Sequence, residues 1–195
     1  MAKERLGCTV SYVPLTEEQN WSAMESGAVD IVPEIWGHEA YAAPYIEVKK
    51  TVVDAGATGG DGTLGWFVPP WMAKRYPDIT SWQSLNKYAP LFQTPKSAGK
   101  GQLLTNDPAN VNNDAALISN LGLNYTVVNA ASEKDVAQAF RDAERNRTPL
   151  LAFFHAPQWV FTELKLARVA LPTYDAKKPE CAPTLMPAAI TRSTG

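Results

Sequence analysis

Tyr125-Thr-Val-Val-Asn-Ala-Ala-Ser-Glu-Lys-Asp-Val-Ala-Gln-Ala-Phe-Arg-Asp-Ala-Glu-Arg-Asn-Arg-Thr-Pro-Leu-Leu-Ala-Phe-Phe154 decides the fold class. Tyr125 to Asn129 is aromatic and β-branched, the composition of a strand. Ser132 and Asp135 then form a helix start, and Val136, Phe140 and Ala143 recur at i, i+4 and i+7, which predicts an amphipathic helix with one buried stripe. Leu150 to Phe154 is a short continuous apolar run and reads as a buried strand. Strand, helix and strand in that order make an α/β chain.

Outward from this core, the same alternation continues. Towards the C-terminus, Leu166 to Leu171 is one more candidate strand, followed by a proline-rich tail from Pro172 to Pro187 with weak structural signals. Towards the N-terminus, Ala115 to Leu121 predicts a helix ended by Gly122, and residues 93 to 114, rich in Pro, Gly, Asn and Lys, predict a long loop. Ser81 to Tyr88 and Pro70 to Tyr76 read as short helices and Leu64 to Val68 as a strand. The stretch Val52 to Gly65 holds Gly56, Gly59, Gly60 and Gly62 but no Lys-Ser/Thr pair at phosphate-loop spacing, so it is a connection rather than a nucleotide site. Near the start, Leu6 to Pro14 and Val29 to Pro33 read as strands. Between them, Thr16 and Gln19 have capping-box spacing, Trp21 and Met24 share a face, and Gly27 is a stop. Residues 6 to 33 are therefore expected to form a β-α-β unit of parallel type. The natural split is a first segment of residues 1–62 and a second of 63–171, two lobes with a hinge.

Bulk properties narrow the function. With 195 residues, 45% hydrophobic and 19% charged, the chain can bury a core. A formal net charge of -2 gives no electrostatic reason to bind nucleic acid. The longest apolar runs fall far short of the roughly 20 residues needed to span a bilayer. The start has basic residues but no apolar stretch before Cys8, so it does not read as an export signal. Cys8 and Cys181, with His38 and His155, have no zinc-type spacing; two buried free thiols are expected, with a bridge as the alternative.

Glu34, His38, Asp107, Asp114 and His155 are the groups that a catalytic or metal site would need, yet neither a Gly-x-Ser-x-Gly elbow nor a His-Glu-x-x-His motif organises them. No catalytic residue, metal or cofactor is assigned, and the chain does not read as an enzyme. The six tryptophans, at 21, 36, 66, 71, 82 and 159, are more informative. Trp36 follows one predicted strand, and His155 and Trp159 follow another; ligand sites of α/β sheets form beyond the carboxyl ends of strands. A ring face attracts a cation by roughly 2 kcal/mol once solvent is excluded, so two or three rings can hold a methylated ammonium that donates no hydrogen bond. Trp21, Trp71 and Trp82 are expected to be packing.

Val13-Pro-Leu-Thr-Glu-Glu-Gln-Asn-Trp21 and Ser26-Gly-Ala-Val-Asp-Ile-Val-Pro-Glu-Ile-Trp36 resemble segments of the glycine betaine, proline betaine and choline binding proteins of ABC transporters. Gly65-Trp-Phe-Val-Pro69, Tyr76-Pro-Asp-Ile-Thr-Ser-Trp-Gln-Ser-Leu85 and Ala152-Phe-Phe-His-Ala-Pro-Gln-Trp-Val-Phe161 are similar to later family segments, in the same order. The resemblance implies a type II periplasmic-binding-protein fold, α/β, with two lobes that close by hinge bending on a ligand in the cleft between them. It also implies a partial first lobe (residues 1–62, with a return segment of about 172–195) and a second lobe (63–171). Measured against the family, both ends are shortened, so the first lobe is expected to be incomplete with an exposed sheet edge. A periplasmic or extracellular location and a transporter membrane subunit as partner follow from the resemblance; the absence of a recognisable signal leaves the cytoplasm open.

Position by position, the resemblance places Trp36 at a box tryptophan. His155 stands where many members have the first Trp of a Trp-x-Pro-x-Trp segment, Asn110 in Asp107-Pro-Ala-Asn replaces another box ring, and Gln158 occupies a position that is often a carboxylate-binding His. The expected ligand-binding set is Trp36, Asn110, His155 and Trp159, with Trp66 and Gln158. Two lost rings weaken a betaine site and favour a ligand with hydrogen-bonding groups. The alternative function is an oligomeric interaction protein, a homo-oligomer with a vestigial cleft.

Overall fold

The computed structural model describes residues 2–33, 35, 39–57, 62–106 and 113–172. The chain divides into two units, residues 1–60 and 61–195.

The described part of the first unit contains helices α1 (Ala2–Leu6), α2 (Glu17–Glu25) and α3 (Glu39–Ala43), the last running into a π-helical turn at Pro44–Val48. The capping box forms as its spacing predicts: Gln19 N donates to Thr16 Oγ1 (3.3 Å) and Thr16 N donates to Gln19 Oε1 (3.0 Å). At the other end Gly27, at φ +73°, takes the left-handed position that stops the helix. There the Gly27 and Ala28 amides donate to the carbonyls of Met24 and Ala23. Among the described residues of this unit, Trp21 is the only buried apolar side chain. Its ring stacks on Tyr45 with centroids 6.0 Å apart, and Lys49 lies 4.6 Å above the Tyr45 ring while pairing with Glu25 at 3.0 Å.

Here the two expected strands do not form. Leu6 closes α1, and residues 7–16 and 29–33 have no regular structure, with Tyr12 93% and Ile31 77% exposed. A β-prone sequence is stable as a strand only where a neighbour completes its ladder and covers a face. No described segment of this unit does so; the predicted β-α-β unit and its sheet edge are absent from the described residues. Cys8 is a free thiol and exposed, not buried; Cys181 lies outside the described residues.

The second unit is built on one five-stranded sheet. Its strands are β1 (Thr63–Val68), β2 (Gly101–Thr105), β3 (Tyr125–Asn129), β4 (Ala152–Ala156) and β5 (Ala167–Arg168), in the spatial order β3-β2-β4-β1-β5. β2 runs parallel to β3 and β4, and β1 runs antiparallel to β4 and β5. Helices α4 (Pro70–Arg75), α5 (Leu85–Tyr88), α6 (Asp114–Asn120), α7 (Glu133–Asn146) and α8 (Val160–Glu163) cover it, with short 3-10 turns among them.

Strand alternation gives the sheet two apolar faces. On one, Trp66, Val68, Leu103 and Tyr125 pack with Met72, Ile79 and Leu85. On the other, Phe67, Ala152 and Phe154 meet Val136, Phe140 and Val160. The predicted stripe of α7 is the buried one: Val136 and Phe140 are fully buried, Ala143 nearly so, and Asp135 N donates to the Ser132 hydroxyl (3.3 Å).

The largest departure in this unit is β2, the central parallel strand, which lies inside the predicted 93–114 loop. Its position explains Gly101: a Cβ there would stand 2.6 Å from the Tyr125 ring, which is fixed by a hydrogen bond from its hydroxyl to the Leu85 carbonyl (2.9 Å). β4 begins and ends two residues later than Leu150–Phe154, because β1 pairs with it as far as Thr63 opposite Ala156. Of the predicted Leu166–Leu171 strand only Ala167–Arg168 forms a ladder, and Ala170 makes a lone bridge to Ser81. Trp71 and Trp82 pack against the first core and Trp21 is buried, as expected.

Candidate functional site

Parallel strands β2, β3 and β4 all deliver their carboxyl ends to one end of the sheet, and a group of polar side chains lies there. Each element contributes through its own terminus. β4 ends at His155 and Ala156 and leads to Gln158. β3 leads through Ser132 to Glu133, the first residue of α7. β2 ends at the fully buried Thr105 and the nearly buried Asn106, and α6 opens at Asp114.

Gln158 ties the first two together. Its Nε2 donates to Glu133 Oε1 and lies 3.4 Å from His155 Nε2. His155 Nδ1 is 3.9 Å from Glu133 Oε2, which brings a carboxylate to its other side. An imidazole with its hydrogen on Nδ1 suits both neighbours: Nε2 accepts from the amide while Nδ1–H faces the carboxylate. The His155 side chain is mostly buried and that of Glu133 about two-fifths exposed, so the carboxylate is the open member of the cluster.

Asp114 forms the second polar group. It is buried and accepts from Trp66 Nε1 at 2.8 Å. Burial pushes its carboxyl up to about 6, against the hydrogen bonds from Trp66 and Thr105 that pull it down. In the β1–β4 ladder Trp66 lies opposite Phe153 and Leu64 opposite His155, so Trp66 and His155 project from the same face. Trp66 itself is 1% exposed and its ring belongs to the core.

Trp159, by contrast, is half exposed, and its ring already holds a cation: the Arg141 guanidinium sits 4.2 Å from its centroid. Arg141 is fixed there by two hydrogen bonds to Glu163, both 2.9 Å. It lies eight residues beyond Glu133 on α7, about 12 Å further along the helix axis.

Of the six residues expected from the sequence, the structure brings His155 and Gln158 into direct contact, buries Trp66 and pairs Trp159 with Arg141. Trp36 and Asn110 lie outside the described residues, as do Glu34, His38 and Asp107. Glu133 and Arg141 were not anticipated. Both sit in a helix whose periodicity announces its buried stripe, and nothing in the spacing says what its polar residues touch. Two grooves of the second unit do not include this cluster. One, of about 400 Å³, runs between α6 and β3 along Lys100, Ser119 and Thr126; the other, of about 630 Å³, is lined by Lys74, Glu144, Glu163 and Lys165. No group of three or more His, Cys, Asp or Glu side chains able to hold a metal exists among the described residues. No helix among them is long and apolar enough to cross a membrane.

Comparison with solved structures places this architecture. The chain is similar to the glycine betaine, L-proline-binding protein (ProX) of Borrelia burgdorferi, with 20% identity and a TM-score of 0.62 over 87% of this chain and 60% of that one. It is also similar to lactococcal OpuAC, solved closed with glycine betaine (18%, TM-score 0.58, 88% of this chain and 63% of that one). A third likeness is to an ABC-transporter choline binding protein solved with choline (17%, TM-score 0.56, 84% of this chain and 55% of that one). At such identities the likeness establishes the fold, that of the type II periplasmic binding proteins, and the chain spans about three-fifths of the length of these relatives. Residues 1–181 match the model of the substrate binding domain of the ABC-type glycine betaine transport system, and this chain belongs to that family.

Proposed function

We propose that the chain is a solute-binding module, holding a small zwitterionic or quaternary ammonium ligand for an ABC transporter. The observation that carries this reading is the polar cluster of His155 and Gln158 at the carboxyl end of β4, in a chain matched to the family over residues 1–181. Ligand groups in α/β sheets are received at such strand ends. Trp36 and Asn110 are further candidate ligand residues on the family motifs alone. Trp159 has the Arg141 guanidinium over its ring, and Trp66 supports the site from the core through its hydrogen bond to Asp114. The working location is outside the cytoplasmic membrane, with a transporter membrane subunit as partner.

Isothermal titration of the whole chain with glycine betaine, N,N-dimethylglycine, proline betaine and choline tests the proposal. Saturable heat from at least one of them is expected, and a folded chain that binds none of them overturns it. A second reading, an assembly protein, is favoured by the exposed apolar side chains of the first unit, Leu6, Tyr12, Ile31, Val48 and Val53 among them. Light scattering separates the two, because a strict monomer that binds ligand excludes assembly as the function.

A further inference from the structure

The ring that stands nearest the cluster in sequence, Trp159, has a guanidinium over it. Glu163 orients that cation by accepting a hydrogen bond at each of its carboxylate oxygens. A ligand ammonium arriving at the same face meets like charge where an aromatic box offers an electron-rich one. The position of a second box ring carries His155, whose Nε2 faces the Gln158 amide. Charge compensation for a ligand cation must then come from an anion, and the cluster contains one.

We propose that Glu133 is a specificity-determining residue of this site, the anionic partner of the ligand's cation, and that it selects ammonium groups bearing at least one N–H. The inference rests on the solute-binding reading above. Three features point to Glu133. It opens α7, where the helix dipole favours a negative charge. Its Oε1 is oriented by the Gln158 amide, which fixes the carboxylate without neutralising it. Its Oε2 has His155 Nδ1 no closer than 3.9 Å, beyond hydrogen-bond distance, and the side chain is partly open to solvent. A carboxylate has about four lone-pair positions, so this one can still accept from a ligand. A trimethylammonium presents only methyl groups to that oxygen. A tertiary or secondary ammonium presents an N–H and forms a charge-assisted hydrogen bond.

The matched probes are glycine betaine and N,N-dimethylglycine, which differ by one methyl group exchanged for hydrogen. Isothermal titration of the whole chain at one pH and salt concentration is expected to show dimethylglycine binding about tenfold more tightly, the scale of one hydrogen bond to a charged group. Glu133→Gln is expected to weaken both probes, because both carry a cation, and to weaken dimethylglycine about tenfold more than glycine betaine, so that the preference disappears. Glu133→Asp, which keeps the charge, is expected to restore part of the preference. Should Glu133→Gln lose its circular dichroism signal, the wild-type ratio and Glu133→Asp carry the test.

Equal or tighter binding of glycine betaine by the wild type overturns this proposal and leaves the solute-binding function standing. A preference that survives Glu133→Gln does the same. Failure of a folded chain to bind either probe overturns the Glu133 proposal, and failure with the other family ligands as well overturns the function.

Discussion

Asp114→Asn should flatten the pH dependence of stability, and the size of the change follows from where the carboxyl lies. Asp114 is buried at the head of α6, with Trp66 Nε1 as a donor, and its pKa rises from 3.8 to about 6 chiefly through burial. The unfolded chain releases this proton near 3.8 and the folded chain keeps it until about 6. Between those values the folded state binds more protons, so stability falls as pH rises, and the loss is complete above about pH 7. A gap of about two pH units amounts to ~3 kcal/mol, of which roughly half is lost between about pH 5 and about pH 8. Asparagine keeps the shape and the oxygen that accepts from Trp66, and carries no titrating proton. Urea unfolding of both proteins, followed by circular dichroism at several pH values in that range, should show the variant gaining on the wild type by ~1.5 kcal/mol from the acid end to the alkaline end. Taking the difference removes the surface carboxylates Asp78 and Glu163, whose pKa values are lowered by Tyr88 with Lys87 and by Arg141 respectively and which act in the opposite sense. Parallel curves for the two proteins would refute the assignment of a raised pKa to Asp114.

Gly101→Ala places a methyl group 2.6 Å from the Tyr125 ring, whose hydroxyl is tied to Leu85, so the central strand must shift. A loss of about 1–3 kcal/mol in urea unfolding is expected, and an unchanged midpoint would mean that the strand moves freely. Arg141→Ala uncovers the Trp159 ring, and tryptophan emission should shift to the red with little change in melting temperature, since the Arg141–Glu163 pair lies at the surface. An unchanged spectrum would show that the guanidinium does not cover the ring in solution.

Local chemistry made much of the second unit legible. Val136, Phe140 and Ala143 announced a buried helix stripe, and Ser132 and Asp135 its start, because these signals lie within a few residues of one another. Tyr125–Asn129 and the strand beginning near Leu64 were legible for the same reason. β2 was not. Gly101-Gln-Leu-Leu-Thr105 has only five residues amid glycine, lysine and asparagine, and it is a strand because β3 and β4 complete it on both sides. Residues 7–16 and 29–33 illustrate the converse, since their β-branched and aromatic composition finds no partner ladder among the described residues. At the site, motif comparison brought His155 and Gln158 forward together, and they are in contact. Glu133 stayed hidden because it meets Gln158 across 25 residues, a pairing that only the turn of the chain from β3 into α7 creates. The same holds for Arg141 on Trp159 and for Trp66 on Asp114, 48 residues apart.

β1 and β5 open and close the described part of the second unit and are neighbours in its sheet, with Phe67 opposite Arg168, Val68 opposite Ala167, and Val169 N donating to the Trp66 carbonyl. The first and last strands of the described part of this unit thus lie side by side and run in opposite directions. A module whose two ends lie side by side can be spliced into a surface loop of another protein at small cost in chain-closure entropy, with its own sheet left intact. Over the described residues, β1 and β5 meet that geometric condition.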